Sequence, residues 1–307
     1  MDTIIVLGVI ALLLGIGVPI ACTIGAVSVL IFVLAGDAQY LAVVPQRMFS
    51  QMDVFAIMAM PLYIWAGELM NRGGITRALV DFALLLAGRI RGGLGHAAII
   101  TSVFFSGISG SAAADIAALS NTLVGQMRQR GYDPLYAGAL TAAASVIGPI
   151  IPPSIIMILY GAILSTDVAA LFMAGIVPGL LIAAALMALN AWMAHREGHP
   201  GGTAADVPEW RPTLARALPA LSLPAVILGG IVFGIMTPIE AGAIAVVAAA
   251  GLGWWYEELD LESFIDSTRK AIVLSGVLFL FIAAGAASSY LIALSQVADH
   301  ISAYVVS

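Results

Sequence analysis

The sequence has one cysteine, Cys22, in 307 residues, which excludes an intramolecular disulfide and a thiolate-built metal site. A buried structural thiol is the reading that suits its apolar surroundings. Charge is scarce too. Only 10% of residues are charged, and the net charge of −6 is spread over loops without a basic cluster, which argues against nucleic acid and against strong adsorption to anionic lipid. No lysine or arginine precedes Arg47, so the apolar stretch Ile4 to Leu14 lacks the basic flank of a signal peptide and is expected to be retained. Nor does Cys22 fit a lipoprotein site, because Pro19 stands where Leu or Val is wanted. What is abundant is hydrophobic residues, 61% of the chain, with a mean hydropathy of +1.05. The expectation is an all-α integral membrane protein whose solvent is the lipid bilayer.

Against that background the run Phe105-Ser-Gly-Ile-Ser-Gly-Ser-Ala-Ala-Ala-Asp115 is too polar for lipid-facing helix. Arg89, Arg91 and His96 precede it and Arg128 and Arg130 follow it, so the positive-inside bias puts both ends on the cytoplasmic side. About 32 residues split at a Ser/Gly tip make two arms of roughly 20 Å each, enough to reach mid-bilayer but not to cross twice. A re-entrant hairpin over His96 to Arg128 is therefore expected. A second break, Gly148-Pro-Ile-Ile-Pro-Pro-Ser154, interrupts the uncharged run Gly138 to Leu164 and predicts a broken spanning helix. At each break one half-helix ends in unpaired carbonyls and the next begins with unpaired N–H groups, which suit a cation and an anion respectively.

The candidate site residues follow from these two breaks. Gly and Ser in membrane helices usually serve close packing, but Ser106, Gly107, Ser109, Gly110 and Ser111 fall within six positions, which favours a binding tip. Asp115 reads equally as a cation ligand and as a structural anchor of the outgoing arm. Pro149, Pro152 and Pro153, with Gly148 and Ser154, free consecutive backbone groups, and Ser145 adds an oxygen one turn earlier. Glu240 after Pro238 reads as a solvated helix start, and Glu68 pairs with Arg72 at i,i+4.

Around the breaks, Ile4 to Gly36 divides at Gly15–Pro19 into two short crossings, Gly36 to Gln51 is a loop, and Phe55 to Met70 crosses. Ile75 to Gly88, with Arg77 and Asp81 among its leucines, predicts an interfacial helix. Ala169 to Met193 is an uncharged span, His195 to Arg216 a cytoplasmic loop, and Leu218 to Ile235 and Ile239 to Trp255 are further crossings. Glu257 to Lys270 is a charged cytoplasmic segment before a span over Ala271 to Ala293.

These segments repeat. Gly15-Ile-Gly-Val-Pro19-Ile20 is similar to Gly234-Ile-Met-Thr-Pro238-Ile239 at an offset of 219, and Leu62-Tyr-Ile-Trp-Ala-Gly67 to Leu280-Phe-Ile-Ala-Ala-Gly285 at 218. The odd number of crossings between the copies inverts the second, which requires an extracytoplasmic N-terminus, in accord with the lone Asp2. The offset of 218 carried from His96 puts a second hairpin near residue 314, so the second repeat is expected to be incomplete and these 307 residues are not expected to catalyse coupled uptake alone.

The motifs Ser106 to Asp115, Arg130-Gly-Tyr-Asp-Pro134, Gly148 to Ser154 and Gly234-Ile-Met-Thr-Pro-Ile-Glu-Ala241 together resemble the large membrane subunit of the tripartite ATP-independent periplasmic (TRAP) transporters. The resemblance implies a multi-pass protein of the bacterial inner membrane with an inverted-repeat, elevator-type fold. It implies sodium-driven uptake of small organic acids of the C4-dicarboxylate, sialic acid or keto-acid class. The acid is delivered by a periplasmic substrate-binding protein, and a small membrane subunit braces the scaffold. Na+ is then the coupling ion, no cofactor is needed, and a sodium site falls between Ser109–Asp115 and Ser145–Ser154. By the same resemblance residues 1–95 are scaffold, 96–165 the first hairpin and broken helix, 166–217 a connection, and 218–307 the second scaffold copy.

The rival reading is an intramembrane serine protease, since Gly107-Ile-Ser109-Gly110 resembles the rhomboid nucleophile motif. Such an enzyme needs a base within about 3 Å of the hydroxyl. His96, His195, His199 and His300 all fall at span ends or in loops, which disfavours it and leaves a non-enzymatic transporter.

Overall fold

The computed structural model describes residues 2–36, 38–201 and 207–294. Its elements are helices: α1 (Asp2–Gly15), α2 (Ile20–Leu34), α3 (Val44–Met52), α4 (Ala59–Arg72), α5 (Ile75–Ala87), α6 (Gly93–Ser109) and α7 (Ala112–Leu119). There follow α8 (Gly125–Gln129), α9 (Pro134–Ser145), α10 (Ile155–Leu164), α11 (Val168–Arg196), α12 (Trp210–Val232), α13 (Pro238–Trp255) and α14 (Leu261–Leu294). Among the described residues the β pairing is an isolated bridge between Arg91 and Gly201. Among the described residues four helices, α11 to α14, are long and apolar enough to cross a membrane. Their outer faces carry exposed Leu181, Val247 and Ile272, which suits contact with lipid rather than water.

The chain forms two compact units, one of residues 1–55 with 273–307 and one of residues 56–272. In the first, α1 and α2 are separated at Pro19, and their 14 and 15 residues span only about 21–23 Å each. Helix α2 packs on the second half of α14, where the Ser28 and Ser288 hydroxyls lie 2.7 Å apart and Phe32, Val44, Ala287 and Leu291 form a buried cluster. Cys22 is exposed on α2, not buried as its surroundings suggested, because α2 buries the face that carries Ala21, Thr23, Val27 and Ser28. The expected loop Gly36 to Gln51 is also corrected. It contains a 3-10 turn, Ala38–Ala42, and the first turns of α3, whose N-terminal Pro45 needs no N–H partner and whose Arg47 lies 5.3 Å over the Tyr290 ring.

In the second unit α4 and α13 form the most intimate pair. Gly242 leaves room for Leu62 and Tyr63, Gly73 meets Gly253 backbone to backbone, and the buried Tyr63 hydroxyl donates to the Pro238 carbonyl at 3.0 Å. Thr237 and Glu240 form a capping box at the start of α13, so Glu240 serves the helix start as expected. Arg72, by contrast, pairs with Asp266 of α14 rather than with Glu68. Helix α12 begins at Trp210, inside the expected loop His195 to Arg216, and α14 begins at Leu261, within the charged segment Glu257 to Lys270. Charge there does not mark where the helix ends. Helix α5 buries Leu79, Val80, Ala83 and Leu84 against protein, so its apolar stripe faces α6 and α12.

The hairpin is formed by α6 going in and α7–α8 returning, with a single π turn, Ser120–Val124, inside the return arm. Leu94, Ala97, Ala98 and Ile99 from the start of α6 share one buried cluster with Leu119, Leu123 and Met127 from the return arm. That cluster brings the two ends of the hairpin together. An impermeant thiol reagent should therefore label single cysteines at Arg89 and Arg130, in a Cys22→Ala background, from the same side of the membrane. Labelling from opposite sides would contradict the hairpin.

Candidate functional site

Helix α6 stops because Gly110 adopts the left-handed conformation (φ 57°), and Ser111 restarts the chain by accepting the Ala114 N–H at 3.5 Å. Helix α9 stops at Ser145 in a series of tight turns, and α10 restarts where Ser154 accepts the Met157 N–H at 3.3 Å while donating to the Pro149 carbonyl at 2.7 Å. Pro152 and Pro153, joined by a cis peptide, carry the chain between. Each break thus has a carbonyl-rich end and a serine-capped N–H end.

The two breaks meet. A methyl group at Gly110 would lie 2.6 Å from the Pro153 carbonyl oxygen and 2.9 Å from the Ile155 nitrogen, so the hairpin tip rests on the start of α10. One turn earlier, a methyl group at Gly107 would lie 2.8 Å from Pro224 of α12 and 3.8 Å from the Pro152 carbonyl oxygen. A methyl group at Gly148 would overlap Asp115 Oδ2 and lie 3.1 Å from its Cγ and 3.2 Å from the Ser145 carbonyl oxygen. The carboxylate in the first turn of α7 therefore sits against the end of α9. The four half-helix ends thus meet in two pairs, α6 with α10 and α7 with α9, and Ser106, Asp115, Ser145 and Ser154 are all fully buried.

Of the residues singled out from the sequence, Asp115, Ser145 and Gly148 come together, as do Gly107 and Gly110 with Pro152, Pro153 and Ser154. The Ser145 hydroxyl donates to the Thr141 carbonyl at 2.8 Å, which leaves its lone pairs for another partner. The Ser106 hydroxyl donates to Val103 within its own helix, the packing role usual for serine there. Ser109 is the last residue of α6, and its side chain lies outside the described residues. A carboxylate with backbone and hydroxyl oxygens is a donor set for a hard cation. Among the described residues no three His, Cys, Asp or Glu side chains cluster as a metal site.

Sequence reading passed over Asn190, counted within an uncharged span. It is fully buried, donates to the Gly92 carbonyl at 3.1 Å and accepts the Tyr136 hydroxyl at 2.7 Å. An amide inside an apolar helix was the available signal.

Comparison with known proteins adds the decisive observation: the profile of the tripartite ATP-independent periplasmic transporter, DctM component, matches residues 7–307. The chain belongs to that family. It is a membrane-embedded, multi-pass member of the TRAP group, and it is 38% identical over 284 residues to the sialic acid TRAP transporter permease protein SiaT of Haemophilus influenzae, covering 92% of this chain and 46% of that protein. It is 34% identical over 289 residues to the large permease protein SiaM of Vibrio cholerae, covering 94% and 67%. It is 32% identical over 282 residues to the C4-dicarboxylate large permease protein DctM of Pseudomonas aeruginosa, covering 92% and 65%. The chain thus spans about half to two thirds of these TRAP relatives' lengths. They are permeases, not enzymes. Among the described residues nothing supports the protease reading: His96 and Ser109 stand about 20 Å apart along α6, and the rings of Tyr132 and Tyr136 flank His199, while His300 lies outside the described residues.

Proposed function

We propose that this TRAP large permease couples inward sodium movement to uptake of a small organic acid across the bacterial inner membrane. The acid, of the sialic acid, C4-dicarboxylate or keto-acid class, is handed over by a periplasmic binding protein, and a small membrane subunit braces the scaffold. The observation that carries the reading is the approach of the Asp115 carboxylate to Gly148, in the turn that follows Ser145. Sodium, a hard ion, is held there by Asp115, Ser109 and the carbonyl ends of α6 and α9, while the N-terminal ends of α7 and α10 favour the carboxylate of the substrate.

An inverted repeat with an elevator motion, an extracytoplasmic N-terminus and the domain limits set out above belong to the same proposal. Support comes from helix pairing. The repeat relates α2 to α13 and α4 to α14, and the pair α2–α14 in one unit becomes the pair α13–α4 in the other.

In proteoliposomes of a permease that carries both repeats, with its two partners, Asp115→Asn and Ser109→Ala are expected to raise the sodium concentration for half-maximal uptake at unchanged expression. Unchanged sodium dependence in both variants removes them as ligands.

A further inference from the structure

About 25 Å from the hairpin tip, at the other end of α6, a polar junction ties together segments that are distant in sequence. Helix α11 ends in a Schellman turn: Gly198 takes φ 72°, and the His199 N–H donates to the Ala194 carbonyl at 3.0 Å. That turn throws the buried His199 ring between Tyr132 and Tyr136, at centroid distances of 4.7 and 4.5 Å, with Nε2 3.2 Å from the Glu197 carboxylate. The next residue joins both ends of the hairpin. The Pro200 carbonyl accepts the Gly92 N–H, just before α6, at 3.4 Å and the Tyr132 hydroxyl, just after α8, at 3.5 Å. Asn190 completes the junction, bonding Gly92 and Tyr136 and filling the space left by Gly95, where a methyl group would overlap its Oδ1.

We propose that Tyr132, Tyr136, Asn190 and His199 form a clasp that positions the distant breaks. The physical reason is leverage. The Gly110 tip packs directly on the start of α10, and α6 and α9 reach that point as separate rods whose far ends are joined at the clasp, where Asn190 bonds Gly92 just before α6 and Tyr136 in α9. A small rotation of either rod at the clasp becomes a displacement of ångströms at the break. These four are positioning residues, touching neither of the breaks. The clasp holds whether or not the site binds sodium, so its test needs no transport.

The test is hydrogen exchange by mass spectrometry on the purified chain in nanodiscs, together with the labelling rate of a single cysteine at Ser111 in the Cys22→Ala background. His199→Ala and Asn190→Leu are expected to speed exchange at least tenfold in both 92–96 and 130–136 and to raise tip labelling severalfold. His199→Phe, which keeps the stacked ring, should restore both. If either variant fails to fold, Gly198→Ala serves instead, since a methyl there meets open space and disturbs only the turn that delivers His199. Exchange confined to 197–201 overturns the proposal, and so does faster exchange at both hairpin ends with unchanged labelling at Ser111.

Discussion

Gly110→Ala should abolish uptake and lower the stability of the permease by about 2–5 kcal/mol, the sum of roughly 1–2 kcal/mol for a left-handed alanine and 1–3 kcal/mol for overpacking. Both terms act at one atom. The added carbon would meet the Pro153 carbonyl and the Ile155 nitrogen, backbone groups that cannot swing aside, so the tip must lift from α10. Lifting it separates the half-helix ends on which the proposed ion and substrate sites depend. Unfolding in a denaturing detergent titration, read beside sodium-gradient uptake, checks both parts. A variant that unfolds like the parent and transports normally would show that the tip does not need this contact.

Gly148→Ala should act differently, raising the half-maximal sodium concentration at least tenfold with little loss of stability. Here the atom in the way is the end of a side chain, Asp115 Oδ2, which can rotate. Rotation relieves the overlap but takes the carboxylate away from the Gly148 turn, so the fold survives and the proposed ion site does not. The comparison separates a structural glycine from a site glycine. Sodium-dependent uptake and the same unfolding titration measure it, and an unaltered sodium dependence would remove the Asp115–Gly148 contact from the ion site.

Both breaks were legible in the sequence for a physical reason. Gly, Ser and Pro are costly in an apolar helix, so their grouping at Ser106–Ser111 and Gly148–Ser154 marked chain that had to leave the helix. Their meeting was implied only by the family resemblance and not by the residues themselves, because Gly110 and Pro153 are ordinary turn residues until the third dimension brings them together. The clasp was hidden for a similar reason: Tyr136 and Asn190 lie 54 residues apart, and His199 sits in what reads as a polar loop. Helix limits were misjudged at α3 and α12, where charged or mixed residues continue a helix beyond its apolar stretch. Cys22 was misjudged because apolar neighbours in sequence say nothing of which helix face is covered.

The π turn at Ser120–Val124 bears on how the return arm is read. A continuous α-helix turns 100° per residue, so side chains eight apart would stand about 80° out of line. The wider turn absorbs that drift and lets Leu119, Leu123 and Met127 keep a common azimuth in the buried cluster, while Gln126 donates its amide to the Thr122 carbonyl at 2.9 Å. The arm thus has two phases, one for α7, which carries Asp115, and another for α8, which carries Arg128. A single helical wheel drawn through 112–129 would assign one of those residues to the wrong side.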